Sequence, residues 1–119
     1  MPYVWIAIGS ALGGMLRFWL GDLLGAKLGA AYLGTVCVNV SGSFAIGFVA
    51  ALGPIPFTRQ LFMIGLLGGY TTFSSFSLQT LELAHEGRWS TAAANVVLSV
   101  VCSLCAVWLG HVCGAPFRR

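Results

Sequence analysis

The sequence predicts an all-α integral membrane protein: four transmembrane helices per subunit, with a break in the third, forming a single domain over residues 1–119. Three observations predict it. The chain is 58% hydrophobic and only 8% charged, with mean hydropathy +0.90, whereas soluble domains carry about a quarter charged residues. Four apolar stretches, at roughly 3–25, 31–52, 58–82 and 90–113, match the ~20 residues needed to cross the hydrocarbon. The third contains GGYTTFSSF (68–76), which puts two glycines, four Thr/Ser hydroxyls and three aromatic rings into nine positions.

The elements follow in order. The opening MPYVWIAIGS lacks the basic region of a signal peptide and reads as the start of span one. Gly9, Gly13 and Gly21 recur along that span, and Arg17 is its one interior charge. Small residues at such spacing let helices approach closely, and a homo-oligomer is the expected consequence. GAKLGA closes the span. In span two, Thr35, Asn39 and Ser43 stand at i, i+4 and i+8, on one helical face. GPIPFTR, with Pro54 and Pro56, separates it from span three, and HEGRW, with Gly87, separates three from four. Span four repeats the polar spacing with Asn95, Ser99 and Ser103. Two such stripes fit either glue between helices or the wall of a path. Cys102 and Cys105 have a CxxC spacing, but no histidine or carboxylate is near them in sequence. They, Cys37 and Cys113 read as small packing residues. Trp5 and Trp108 fall near one membrane face, Trp19 and Trp89 near the other, where interfacial anchors belong.

The charges exclude some classes. A net charge of +3 spread over six bases and three acids is too sparse for a nucleic-acid surface. Arg59, Arg118 and Arg119 fall on one side of the membrane. Lys27 and Arg88 fall on the other, with Arg17 in the half of span one nearer to it. This balance gives the positive-inside rule little to act on. Two readings stay open: insertion in both orientations, with inverted copies pairing antiparallel, or one orientation set by other features. No acid lies deep in any span, which argues against a proton-coupled carrier and suits a passive path.

The run at 68–76 sharpens that reading. Glycine weakens a helix by about 1 kcal/mol relative to alanine, and the hydroxyls of Thr71 and Thr72 compete for backbone groups. A break is expected at 68–71, with the helix resuming near Thr72. Freed carbonyls at membrane depth are cation ligands; the resumed helix directs its positive end into the membrane, where an anion is favoured. Phe73 and Phe76 lie on one face of that helix, and the positive edges of their rings suit an anion without trapping it.

GGMLRFWLG (13–21), GTVCVNVSGSF (34–44) and GLLGGYTTFSSF (65–76) together resemble the signatures of the small fluoride channels, the Fluc or CrcB family, over essentially the whole chain. The resemblance implies a multi-pass protein of the cell inner or plasma membrane, with no catalytic residues. It implies an antiparallel dual-topology homodimer with two fluoride pathways and a structural sodium ion (Na+) at the dimer interface. The backbone carbonyls of Gly68 and Thr71 would hold the sodium. The fluoride pathway would comprise Asn39, Phe73, Phe76, Thr72, Ser74, Ser75, Ser99 and Ser103, with Arg17 matching the arginine of span one. Ser75 stands where threonine is frequent, Asn95 where many relatives carry tyrosine, and Tyr70 where an apolar residue is common. Two other classes compete. A small multidrug exporter needs an intramembrane carboxylate, and span one has none. A non-transporting scaffold would use glycines and hydroxyls only to pack helices.

Overall fold

The computed structural model describes all residues, Met1–Arg119, and their regular structure is entirely helical. Helix α1 spans Pro2–Leu28 and α2 spans Ala31–Ala51. The third span, Pro56–His85, is composite: α3 (Pro56–Thr58), a π-helical segment (Arg59–Leu67), α4 (Gly68–Tyr70) and α5 (Ser74–His85). The fourth is α6 (Trp89–Gly114), finished by a 3₁₀ turn at Ala115–Phe117. All four spans are long and apolar enough to cross a bilayer.

Local chemistry sets the ends. Pro2 and Pro56 open α1 and α3 at positions where the missing N–H has no helical partner to lose. Gly29 ends α1 at φ 87°, returning its N–H to Gly25 O at 3.0 Å, a conformation that glycine adopts without a Cβ penalty. The short links force each span to run antiparallel to the one before it.

Glycine seams hold the spans together. Gly9 and Gly13 of α1 lie directly against the Leu61 and Leu66 carbonyls of the π-helical segment. Gly34 of α2 meets the Gly21 carbonyl of α1, and Gly47 and Gly110 join α2 to α6 through the Val107 and Phe44 carbonyls. Lipid tails are as apolar as leucine, so close backbone approach, and not hydrophobic burial, holds membrane helices together. Large side chains such as Leu12, Met15, Val97 and Val101 accordingly point outward. Trp19, Trp89 and Trp108 are exposed, while Trp5 packs edge-on against Phe57 at 4.9 Å, tying α1 to the start of the third span. All four cysteines are free.

The structure moves the expected interruption. Gly68 is helical, at φ −64° and ψ −37°, and the helical pieces stop at Tyr70 and resume at Ser74. The non-helical residues are 71–73, sharing Thr71 with the expected 68–71 and running two residues beyond it, and Thr71 is extended at φ −81°, ψ 153°. The glycine pair serves packing instead. A Cβ on Gly69 would lie 2.7 Å from Ser10 O of α1. The upstream π form, in which the Gly68 N–H reaches Met63 O five residues back, is unusual at nine residues, since π turns mostly occur singly and often at functional sites.

Candidate functional site: a hydroxyl-lined cavity at residues 71–73

Residues 71–73 are held from α2. Asn39 Nδ2 donates to Thr72 O at 2.8 Å, and Thr72 N–H donates to Asn39 Oδ1 at 2.7 Å. One side-chain amide thus satisfies both backbone groups of a residue that has left the helix. Ser43 Oγ donates to Asn39 O at 2.7 Å, so it bonds the backbone of α2 itself. Gly42 makes room for the crossing: a Cβ there would collide with Thr71 Cγ2 and lie 3.0 Å from Tyr70 Cδ1.

Thr72 also starts the next helix. Its Oγ1 accepts from Ser75 N–H at 3.2 Å, a side-chain cap for α5. The Ser74 and Ser75 hydroxyls sit 3.3 Å from the same oxygen. Thr71 N–H and Oγ1 both donate back to Leu67 O, at 3.0 and 3.1 Å. No donor in the chain reaches Thr71 O or Gly68 O, because the N–H groups that a continuous helix would direct at Gly68 are turned elsewhere. Both carbonyls expected to hold a cation are therefore unpaired.

Beside this segment lies a cavity of about 330 Å³, and it gathers most of the residues singled out in the sequence. Asn39, Gly42, Ser43, Gly68, Thr71, Thr72, Phe73 and Phe76 line it from α2 and the third span, and Ser99 and Ser103 line it from α6. Phe73 and Phe76 stand with ring centroids 5.2 Å apart at 55°. They differ in setting: Phe76 is 8% exposed and Phe73 76%. Ile46, Leu67, Val100 and Leu104 complete the wall and carry no polar signal that a sequence reading can find.

Arg17 and Ser75 lie elsewhere. They line a second cavity of about 230 Å³ with Asp22, Thr35 and Val38. Thr72 is the residue common to both linings, so it stands as the wall between them. Ser74 lines neither and touches the site through Thr72.

A second polar cluster joins α6 to α5. Asn95 Nδ2 donates to Thr80 Oγ1 at 2.9 Å, Thr80 Oγ1 donates to Phe76 O at 2.7 Å, and Ser99 Oγ donates to Asn95 Oδ1 at 3.3 Å. Sequence reasoning missed Thr80; its one signal is the four-residue spacing from Phe76. Tyr70, which stands where an apolar residue is common, gives its hydroxyl a partner on α2: the Tyr70 and Ser41 hydroxyls are 2.8 Å apart.

These features define a class: a four-span membrane protein whose third helix is interrupted beside a hydroxyl- and phenyl-lined cavity. The chain belongs to the CrcB family, since residues 4–111 match the family described as CrcB-like protein, Camphor Resistance (CrcB). It is 56% identical to a protein of Rhodospirillum rubrum named fluoride-specific ion channel FluC, over 94% of this chain and 93% of that one. Proteins of the same name from Methylocella silvestris and Paramagnetospirillum magneticum are 52% and 46% identical, each over 100% of this chain and 97% and 99% of theirs.

Proposed function

We propose that the protein is a fluoride-selective channel through which cytoplasmic fluoride leaves the cell passively, conferring fluoride resistance. Its relatives are named as ion channels, and the chain is not an enzyme. The observation that carries the reading is the cavity wall. Phenyl rings and hydroxyls meet there with no fixed charge among the lining residues. Fluoride is strongly hydrated, so donors must replace its water. Ring edges and hydroxyls do this without the deep well that a lysine or arginine would create, and conduction requires binding weak enough to release.

Fluoride would be passed along Phe73 and Phe76, past Thr72, toward Ser99 and Ser103 on α6. Ser74 and Ser75 would hold the Thr72 hydroxyl in place. Arg17, in the neighbouring cavity, would raise the local anion concentration at a mouth. Asn39 spends its amide on the Thr72 backbone; its part is to fix the segment that presents the donors.

The unpaired carbonyls of Gly68 and Thr71 fit a sodium ion, a hard cation that takes oxygen ligands. Two carbonyls are too few to enclose one, so an inverted second copy would supply the rest, in an antiparallel dual-topology homodimer of the inner membrane. The near-even split of bases between the two ends suits insertion both ways. Bound there, sodium would fix the two interruptions against each other.

Fluoride efflux from liposomes holding the purified protein, followed with a fluoride electrode, tests the reading. Efflux well above protein-free vesicles, with chloride retained, is expected. Vesicles holding an intact dimer yet leaking no fluoride overturn it. Phe76→Ile keeps the apolar volume and removes the ring edge; efflux falls by at least about tenfold if the ring contributes ~1.4 kcal/mol or more. An unchanged rate removes Phe76 from the path.

A further inference from the structure

We propose that the protein carries a site for an anionic glycerophospholipid where the α2–α3 turn meets the C-terminal turn. The site lies apart from the cavities above and does not depend on what the protein conducts. A cavity of about 450 Å³ opens there, larger than the one at residues 71–73. Phe48, Val49 and Leu52 of α2 and its C-terminal end form one apolar wall, and Ile55 and Phe117 form another. Phe48 and Phe117 hold the two segments together, with ring centroids 6.2 Å apart.

The rim is basic. Arg119 and Thr58 line it. Gly53 turns the chain at φ 69°, and a Cβ built on it would lie 3.7 Å from Arg118 Nε and 3.9 Å from Arg119 O. The Arg118 side chain and the Arg119 backbone thus lie beside the turn. Arg59 opens the π-helical segment on the same end of the bundle. The chain's three acidic side chains, Asp22, Glu82 and Glu86, all belong to the opposite end, in the later part of α1 and of α5 and just after it. No acidic side chain lines this cavity.

An apolar pocket at the end of membrane spans, with Arg119 in its lining and the Arg118 guanidinium beside its Gly53 turn, has amphipathic chemistry. Its floor takes acyl chain or glycerol backbone, and its rim takes phosphate, which arginine binds with paired N–H donors. Basic side chains at the membrane surface are attracted to anionic lipid in the same way. A zwitterionic headgroup offers the same phosphate but adds a quaternary ammonium that this rim repels, so the occupant is a lipid of net negative charge, such as phosphatidylglycerol.

Native mass spectrometry of the purified full chain tests this, with phosphatidylglycerol and phosphatidylcholine of matched acyl chains supplied at equal concentration. Phosphatidylglycerol is expected to be retained at least about fivefold better. Retention should fall about fivefold for each guanidinium removed in R118Q and R119Q. The K27Q/R88Q variant, altered at the opposite end, should keep the preference. Equal retention of the two lipids overturns the proposal, as does a preference that survives R118Q/R119Q or disappears in K27Q/R88Q. Displacement of phosphatidylglycerol by inorganic phosphate at equal concentration also overturns it, because the apolar floor would then contribute nothing. Should R118Q/R119Q fail to fold, Ile55→Gln, on the exposed apolar wall, must lower phosphatidylglycerol retention; unchanged retention there rejects the site.

Discussion

Two asparagines face the third span, one from each neighbouring helix, and they are used differently. Asn39 of α2 bonds main chain: both atoms of its amide are taken by Thr72 N–H and O. Asn95 of α6, at 1% exposure the more deeply buried, bonds side chains, the hydroxyls of Thr80 and Ser99. Below Thr72 the helix is interrupted; around Thr80 it is continuous. A residue that leaves a helix inside a membrane exposes an N–H and a C=O that water cannot reach, and each needs a partner. Asn39 answers a backbone demand that a change of the Thr72 side chain, short of proline, does not remove. Asn95 answers only the demand created by its own amide. The first asparagine is therefore required by the path of the chain, and the second by its partners' chemistry.

The largest expected effect breaks the Asn39 pair. In Asn39→Asp the acceptor for Thr72 N–H remains, but the donor to Thr72 O becomes a second oxygen. That carbonyl is left unpartnered and faced by negative charge. A buried polar group without a partner costs about 1–3 kcal/mol, and a carboxylate in a span adds to it. Fluoride efflux from liposomes should fall by at least about tenfold. Wild-type rates in this variant would mean that the amide clasp does not set the conducting geometry.

A smaller effect is expected from Thr80→Val, which keeps shape and removes the hydroxyl. Asn95 loses an acceptor and Phe76 O loses a side-chain donor, but Phe76 O retains its place in a continuous helix. Thermal unfolding in detergent should show a loss of about 1 kcal/mol, with efflux changed less than about threefold. If Thr80→Val cuts efflux as deeply as Asn39→Asp, the distinction between the two asparagines collapses, and the α5–α6 cluster belongs to the path.

This contrast also marks what the sequence can reveal. The four spans are legible because hydropathy and turn residues act over short distances and each apolar run is long enough to decide its own state. The meeting of Asn39 with Ser43, and of Ser99 with Ser103, on one cavity wall is legible because a four-residue spacing puts each pair on one helical face, whereas Thr35 and Asn95 of the same stripes fall outside that wall. The placement of the interruption is not legible. Glycine and threonine propensities point to 68–71, yet the helix continues through Tyr70 because Gly69 is packed against Ser10 and because the partner able to hold a non-helical residue, Asn39, is opposite Thr72. Propensity names a weak helix; only the tertiary partner decides where it opens. Arg17 is separated from the main cavity for a similar reason. The order of residues along α1 does not tell that Thr72 stands between the two linings.

The smallest effect concerns the hydroxyl that the sequence left unexplained. Tyr70 is the last helical residue before the interruption, buried, and bonded to Ser41 at 2.8 Å, while Ser41 is exposed on α2. This contact anchors the upstream side of residues 71–73 to the same helix that Asn39 uses for the downstream side, two residues apart in sequence. It differs in kind: it joins two side chains, and Ser41 keeps a second bond, to Val38 O at 3.0 Å. Tyr70→Phe therefore leaves Ser41 satisfied and strands no backbone group. The loss should be about 0.5–1.5 kcal/mol in thermal unfolding, with efflux within about twofold of wild type. A much larger drop in efflux would show that the upstream anchor is as necessary as the downstream one, and that the interruption is clamped from both sides. A drop near zero in both measurements leaves Asn39 as the one contact from α2 that the path of the chain requires.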